Sequence, residues 1–230
     1  MNRLRNCRGY LCGPMDKMAD GGVVWRRHIR YDLRDLGIHW LDPCNKPCRL
    51  GVENDETRAL RHKKKAGGDW QFLANEMYPI RRVDIRMVDI SDFLIVFLDL
   101  ANSGFGTIAE LTRANSQQKP IIVMQEGGKQ HAPDWLFGML PESMIFGDWG
   151  DLYYYLKCID ECCYIKTEQR WLFFDWQGTQ EKKPEPSYNF AEQCRHPAFS
   201  IRGVQSSRHP FDAKGFYDTR LGEPWPENLK

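Results

Sequence analysis

The sequence lacks an apolar run long enough to cross a bilayer, because such a span takes about 20 residues. Its longest apolar run, from Phe93 to Leu98, has the length of one strand. The first residues are basic but lack the apolar core of a signal peptide. We therefore expect a cytoplasmic protein without a membrane partner.

The chain also lacks an excess of charge of either sign. It has 32 Lys and Arg against 31 Asp and Glu, which gives a net charge of +1. Binding to nucleic acid depends on a basic surface. A nucleic-acid partner is therefore not expected, and a binding module built on the run Lys63 to Lys65 is kept only as a third possibility.

Cysteine is not scarce, since the chain has eight. Without a signal peptide we expect these cysteines to be reduced. Cys44, Cys48, Cys194 and His196 could be combined into a zinc site, but the C-x3-C spacing is atypical and no second close pair follows. The sequence thus predicts no metal site and no other cofactor.

Short apolar segments alternate with segments of helical periodicity along the first two thirds of the chain. The predicted strands are Arg8 to Cys12, Ile38 to Leu41, Phe93 to Asp99, Pro120 to Met124 and Ser143 to Phe146. The predicted helices are Val23 to Leu36, Trp70 to Asp92 (interrupted near Pro79), Thr107 to Gln117, Pro133 to Leu140 and Asp148 to Cys162. This alternation predicts an α/β fold with an open, mainly parallel, Rossmann-like sheet flanked by helices.

Two segments fall outside this alternation. Residues 44–68 are polar and aperiodic, and we expect a surface insertion that is partly helical from Glu53 to Lys65. Residues 166–230 are rich in Pro, Arg and aromatic residues. We therefore predict an α/β domain over residues 1–165 and a C-terminal extension over 166–230 that packs on the core or on another subunit.

Open α/β sheets bind ligands beyond the carboxyl ends of their strands. Three segments fall there and should line one crevice: Gly13-Pro14-Met15, Asp42-Pro43, and Asp99 to Thr107. In the third, two glycines allow a ligand to approach closely, and a helix start favours anions. Glu110 then falls in the first turn of the predicted helix. It could be an ordinary helix-start residue or a capping-box partner of Thr107, and Asp84 could be an N-cap or surface residue.

Four motifs together carry a family resemblance. They are YLCGPM at Tyr10 to Met15, WRRHIRYDLRDLG at Trp25 to Gly37, Asp84 ahead of the buried strand, and D-x6-GT-x2-E from Asp99 to Glu110. In this order, across residues 9–124, they resemble the nucleoside 2-deoxyribosyltransferase family, whose relatives include nucleotide N-glycosidases. The family forms are close to YLAGP and DSGT-x2-E, and this chain has an added phenylalanine and glycine in the second.

The resemblance implies a role for each matching residue. Glu110 matches the nucleophile, Asp84 the aspartate that contacts the base and helps proton transfer to it, and Tyr10 the tyrosine that positions the nucleophile. Two loops match those around the sugar, and their residues are Gly13, Pro14 and Met15, followed by Asp99, Asn102, Ser103, Gly104, Phe105 and Thr107. Apart from the resemblance, four aromatic residues lie near the candidate loops and could stack on a base or belong to the core: Trp25, Trp70, Phe105 and Trp135. Phe105 is the preferred candidate for stacking because it lies inside the second loop.

The implied activity is cleavage of the N-glycosidic bond of a (deoxy)nucleoside and transfer of the sugar to another base, through a glycosyl-Glu110 intermediate. The resemblance also implies a homo-oligomer with a role in nucleoside salvage. One alternative is hydrolysis of nucleoside 5′-monophosphates, for which several arginines could bind phosphate: Arg26, Arg27, Arg30, Arg81, Arg82 and Arg86. An alternative of another class is a non-catalytic nucleotide-binding or sensing protein.

Overall fold

The computed structural model of the chain describes residues 2–46, 54–161 and 170–174. Within these ranges the strands form a single parallel sheet of order β2-β1-β3-β4-β5. The strands are β1 (Arg8–Cys12), β2 (His39–Leu41), β3 (Phe93–Leu98), β4 (Ile121–Gln125) and β5 (Ile145–Phe146). The described part of the chain has no helix that is both long and apolar enough to cross a membrane.

Helices flank this sheet on both faces. They are α1 (Val23–Asp32), α2 (Asp55–Ala66), α3 (Trp70–Ile90), α4 (Phe105–Ser116), α5 (Asp134–Met139) and α6 (Trp149–Glu161). The prediction of an open parallel α/β sheet is therefore confirmed.

Alternating side chains of the strands separate two cores, as the pleat of a strand requires. On one face Leu11 belongs to a cluster with the apolar residues of α1 and α6. On the opposite face Tyr10 and Cys12 belong to a cluster with residues of α3, α4 and α5. The side chains of Tyr10 and Cys12 consequently point toward the helices that carry Asp84 and Glu110.

The chain order around β1 defines where a ligand can bind. After β1 the chain builds β2 on one side of β1, and it later builds β3 on the other side. The order of the strands thus reverses at β1, and in open α/β sheets the crevice at such a reversal is the usual ligand site. The loops that follow β1 and β3 lie at this reversal.

Two predicted helix boundaries are wrong. α3 continues through Pro79 without the expected interruption. α4 begins at Phe105 rather than at Thr107, and its N-cap is Gly104.

Two other predicted helical segments are partly right. The helix predicted to end at Leu36 stops at Asp32, and one 3-10 turn leads to Gly37 at φ 64°. The helical part of the predicted insertion is α2, which Asn54 and Thr57 close with a capping box.

The start of the predicted extension packs on the sheet. Trp171 is buried against Phe93, and its indole N–H donates a hydrogen bond of 2.8 Å to the Tyr155 hydroxyl. The domain boundary at residue 166 and most of the extension lie outside the described residues, and both stay predictions.

Candidate active site

Glu110 lies in the second turn of α4, and not in the first as the sequence predicted. The N-cap of α4, Gly104, makes no side-chain capping bond. A capping-box role for Glu110 with Thr107 is therefore excluded. Thr107 is buried, and its carbonyl oxygen accepts a weak hydrogen bond from the Cys12 thiol at 3.5 Å. This contact ties the first turn of α4 to β1.

Three of the predicted site residues, Tyr10, Asp84 and Glu110, come together in the structure. Tyr10 at the centre of β1, Asp84 on α3 and Glu110 on α4 interact electrostatically with one another. Cys12, two residues after Tyr10 on the same face of β1, joins this group. The predicted carboxyl pair of Asp84 and Glu110 therefore exists, with two weakly acidic donors beside it.

The carboxyl group of Glu110 has a raised pKa. Burial raises its pKa from 4.5 to about 7, and the charge of Asp84 acts in the same direction. The Cys12 thiol and the Tyr10 hydroxyl beside the carboxyl group, and the charge of Arg26, oppose this rise. Near neutral pH, Glu110 therefore exchanges readily between the protonated and the ionised form.

Tyr10 and Cys12 remain protonated in this environment. Burial, followed by the charge of Glu110, raises the pKa of each well above its ordinary value. The Tyr10 hydroxyl lowers the pKa of the neighbouring Glu110 carboxyl group. It forms no hydrogen bond of ordinary geometry with the described residues. It is therefore a buried donor available to an ionised Glu110 or to a ligand beside it.

Asp84 forms an ion pair that the sequence did not predict. The ammonium group of Lys46 lies 2.9 Å from a carboxylate oxygen of Asp84. The Lys46 side chain is 1% exposed and that of Asp84 12%. Lys46 falls within the predicted surface insertion, although it follows Asp42-Pro43 closely at the crevice end of β2. That position is the only signal in the sequence that could have indicated its role.

Arg26 holds the loop after β1 in place. Its fully buried guanidinium donates hydrogen bonds of 2.7–3.4 Å to four carbonyl oxygens, those of Leu11, Gly13, Pro14 and Gly22. It also lies 3.7 Å from buried Asp42. Arg26 is thus not available to a phosphate, contrary to the prediction, and instead shapes the loop of Gly13 to Met15.

The glycine at position 22 makes this arrangement possible. Gly22 has φ 75°, and a Cβ there would lie 2.3 Å from the Pro14 carbonyl oxygen. Gly13 is equally confined, because a Cβ would lie 2.7 Å from the Trp25 ring and 3.0 Å from the Phe97 carbonyl oxygen. The backbone of the loop after β1 therefore packs so closely at Gly13 and Gly22 that neither position has room for a side chain.

The loop after β3 is held by its own side chains. Asp99 accepts hydrogen bonds from the Ala101 N–H at 3.0 Å and the Asn102 amide at 2.5 Å, and its own N–H donates to the Ser103 hydroxyl at 3.1 Å. Lys17 donates to the Ala101 carbonyl oxygen at 3.2 Å and so connects this loop to the β1 loop. The two predicted sugar loops are therefore neighbours.

A cavity of about 330 Å³ adjoins the loop after β3. Its lining residues are Asp99, Leu100, Ala101, Gln125, Glu126, Gly127 and His131. Two of these are acidic, and the buried Gln125 side chain has an amide oxygen with no partner among the described residues. The cavity thus presents acceptor groups rather than a basic lining.

The predicted stacking residue is open to solvent. Phe105 is 90% exposed at the start of α4, and a methyl group added at Gly104 or Gly106 would have no described atom within 4 Å. Phe105 is therefore an exposed ring among the described residues. Trp25, by contrast, is buried in the core against Phe97 and Trp149.

Two other aspartates of the same sequence segment lie outside the site. Asp89 forms an ion pair with Arg113 at 2.7 Å and joins α3 to α4. Asp92 pairs with Arg8 at the opposite edge of the sheet. In the described ranges no group of three or more His, Cys, Asp or Glu side chains could hold a metal ion. Cys48, Cys194 and His196, from the considered zinc site, lie outside those ranges.

Comparisons with known proteins complete the description of the site. No protein-family model and no curated protein matches the chain. Among solved structures it is similar to a 2-desoxiribosyltransferase from Leishmania mexicana, with 14% identity, a TM-score of 0.43 and coverage of 65% of this chain and 96% of that one. It is also similar to a CMP N-glycosidase from Clostridium botulinum, with 14% identity, a TM-score of 0.36 and coverage of 67% and 98%.

A conserved protein from Enterococcus faecalis is similar as well, with 16% identity, a TM-score of 0.34 and coverage of 61% of this chain and 80% of that one. The first two structures are named as a deoxyribosyltransferase and an N-glycosidase, and these are the two kinds of enzyme that the sequence motifs resemble. All three TM-scores are below 0.5.

Proposed function

We propose that this protein cleaves the N-glycosidic bond of a (deoxy)nucleoside and transfers the sugar to a second base through a glycosyl-Glu110 intermediate. One observation carries the proposal: Glu110 lies beside Asp84 and Tyr10, and burial and the charge of Asp84 raise the pKa of its carboxyl group to about 7. A pair of carboxyl groups of which one has a raised pKa is typical of acid-base chemistry, and simple binding needs no such pair.

The two carboxyl groups share one proton in the resting site, and that proton lies on Glu110. When a nucleoside binds, the proton passes to Asp84 and from there to a ring nitrogen of the base. The ionised Glu110 oxygen forms a bond to the anomeric carbon while the carbon–nitrogen bond breaks, and the base leaves with the electron pair and the proton.

The second half of the reaction reverses these steps. A nitrogen of the incoming base attacks the anomeric carbon, the ester bond to Glu110 breaks, and the proton of that nitrogen returns to the carboxyl pair. Two displacements on opposite faces of the sugar retain its configuration. The Tyr10 hydroxyl, buried without a partner of ordinary geometry in the described structure, is a donor for the ionised Glu110 oxygen.

The acceptor groups that line the cavity beside the β3 loop favour a nucleoside over a nucleotide. Asp99 and Glu126 line the adjacent cavity, and Arg26 is engaged with backbone carbonyl groups. Lys17, beside the β3 loop, and the open start of α4 favour the alternative, which is hydrolysis of a nucleoside 5′-monophosphate to free base and sugar phosphate.

A panel of substrates separates these possibilities. Purified protein is incubated with ribo- and deoxynucleosides and with their 5′-monophosphates, each with and without a second free base, and products are separated by chromatography. Base exchange that needs the second base supports the proposal. Free base from monophosphates alone supports the hydrolase, and no product from any substrate contradicts both and leaves the non-catalytic binding protein.

We also propose that the protein acts as a homo-oligomer. Large apolar side chains are exposed beside the site: Leu100, Phe105 and Ile108 are 54%, 90% and 47% exposed. Exposed apolar groups of this kind mark interaction surfaces when they are contiguous. Analytical ultracentrifugation should give a mass that is a multiple of 27.0 kDa, and a monomer at micromolar concentration would contradict the proposal.

A further inference from the structure

The buried ammonium group of Lys46 is in contact with the proposed carboxyl pair. It lies 2.9 Å from Asp84 and is 1% exposed. A lysine is rarely buried unless its charge is paired, and here the partner is a residue of the proposed site. Lys46 lies four residues after the buried Asp42, which follows β2. It therefore reaches the site from a different element than Tyr10, Asp84 or Glu110.

We propose that Lys46 is a positioning residue that keeps Asp84 ionised and in place, and thereby puts the single proton of the carboxyl pair on Glu110. This inference rests on the proposed function, because it explains how the pair is prepared for reaction. An ammonium at hydrogen-bond distance stabilises the ionised form of Asp84. Ionised Asp84 in turn disfavours a second negative charge on Glu110.

The other groups around the pair do not take this role. Tyr10 and Cys12 face Glu110 from β1 as protonated donors, and their pKa values are raised well above the ordinary range. Arg26 acts on Glu110 from α1, but its guanidinium is held by carbonyl groups of the β1 loop. Lys46, by contrast, is in direct contact with Asp84, at 2.9 Å.

Removing the charge of Lys46 has a defined sign. Loss of a nearby positive charge makes it harder to remove the last proton from two adjacent carboxyl groups. The apparent pKa of that step should therefore rise in Lys46→Met, by about 1 pH unit or more. Lys46→Arg keeps the charge and should titrate like the wild type.

The test is a ¹³C NMR titration of side-chain carboxyl carbons in the full chain, with the Glu110 signal identified by its loss in Glu110→Gln. Lys63→Met is the matched control, because Lys63 is an exposed lysine of α2. Lys46→Gln keeps a hydrogen-bond donor without the charge, and it replaces Lys46→Met if that variant does not fold. We expect a raised apparent pKa of the pair in Lys46→Met or Lys46→Gln, and none in Lys46→Arg or Lys63→Met.

An unchanged titration in the uncharged variants, with only a lower melting temperature, would show a purely structural ion pair and overturn the proposal. The pH dependence of kcat/KM gives a second readout, and its alkaline limb should move with the titration. A wild type that is inactive on every substrate but titrates as described would contradict the proposed function alone, because the NMR measurement does not depend on turnover.

Discussion

Asp84 on α3 and Glu110 on α4 are coupled electrostatically across the helix layer that covers β1. Burial, followed by the charge of Asp84, raises the pKa of Glu110 to about 7. In many acid-base pairs the group with the raised pKa is the proton donor and the other is the nucleophile. Here the raised group is the proposed nucleophile, so the proton has to move before attack.

The pH dependence of turnover should reflect the shared proton. We expect kcat/KM for base release to fall on the alkaline side with an apparent pKa of about 7, because above it the pair has no proton for the leaving base. The measurement is steady-state kinetics from pH 5 to 9. A rate that instead rises through pH 7 would mean that Glu110 reacts only when already ionised and that the proton comes from another group.

The stability of the fold should also depend on Glu110. Its pKa is raised from 4.5 to about 7 by folding, so the contribution of Glu110 to stability is complete below 4.5 and is lost as the pH rises to about 7. Glu110→Gln has no such ionisation. In thermal denaturation between pH 5 and 8, we expect the melting temperature of this variant to fall less than that of the wild type. Equal falls in the two melting temperatures would contradict the raised pKa of Glu110.

The guanidinium group of Arg26, and not only its positive charge, should be required to hold the β1 loop in place. Lys in its place cannot reach four carbonyl groups, and each buried acceptor left without a partner costs about 1–3 kcal/mol. We expect Arg26→Lys to lower the melting temperature and to raise KM, measured by calorimetry and kinetics. Arg34→Lys is the control, because Arg34 is 55% exposed, and an equal effect of both variants would contradict this role.

Two glycines near the site should differ in their tolerance of alanine. At Gly13 a Cβ would lie 2.7 Å from the Trp25 ring and 3.0 Å from the Phe97 carbonyl oxygen, whereas no described atom lies within 4 Å at Gly104. Gly13→Ala should therefore lower stability. Gly104→Ala should lower the melting temperature much less, by no more than the small cost of losing an N-cap glycine, and should affect KM only if the substrate occupies that space. A stable Gly13→Ala variant would show that the loop can move away from the sheet.

The strands could be predicted from the sequence because buried strands leave continuous apolar runs, whereas the reversal of the strand order at β1 emerges only from the structure. The predicted bounds of β1 match those observed. Helix boundaries are harder to predict, since the pattern before Pro79 suggests an interruption that packing of α3 overrides. The sequence places the start of α4 two residues late because Phe105 and Gly106 resemble loop residues.

The contacts that prepare the site could not be predicted. Lys46 and Asp84 are far apart in the chain, and Lys46 lies in a polar, aperiodic segment that favours a surface position. The sequence makes Arg26 a candidate phosphate ligand, because nothing in local periodicity indicates a guanidinium that binds backbone carbonyl groups. Long-range pairing of buried charges depends on the tertiary fold and leaves no local pattern.

The covalent intermediate gives the most direct test of Glu110 as the nucleophile. The enzyme is quenched with acid during turnover of a nucleoside and analysed by mass spectrometry of the intact chain and its peptides. We predict a mass increase of one glycosyl group on the peptide that contains Glu110, and none in Glu110→Gln. A wild type that releases base without any adduct on Glu110, or with the adduct on another residue, would contradict the account.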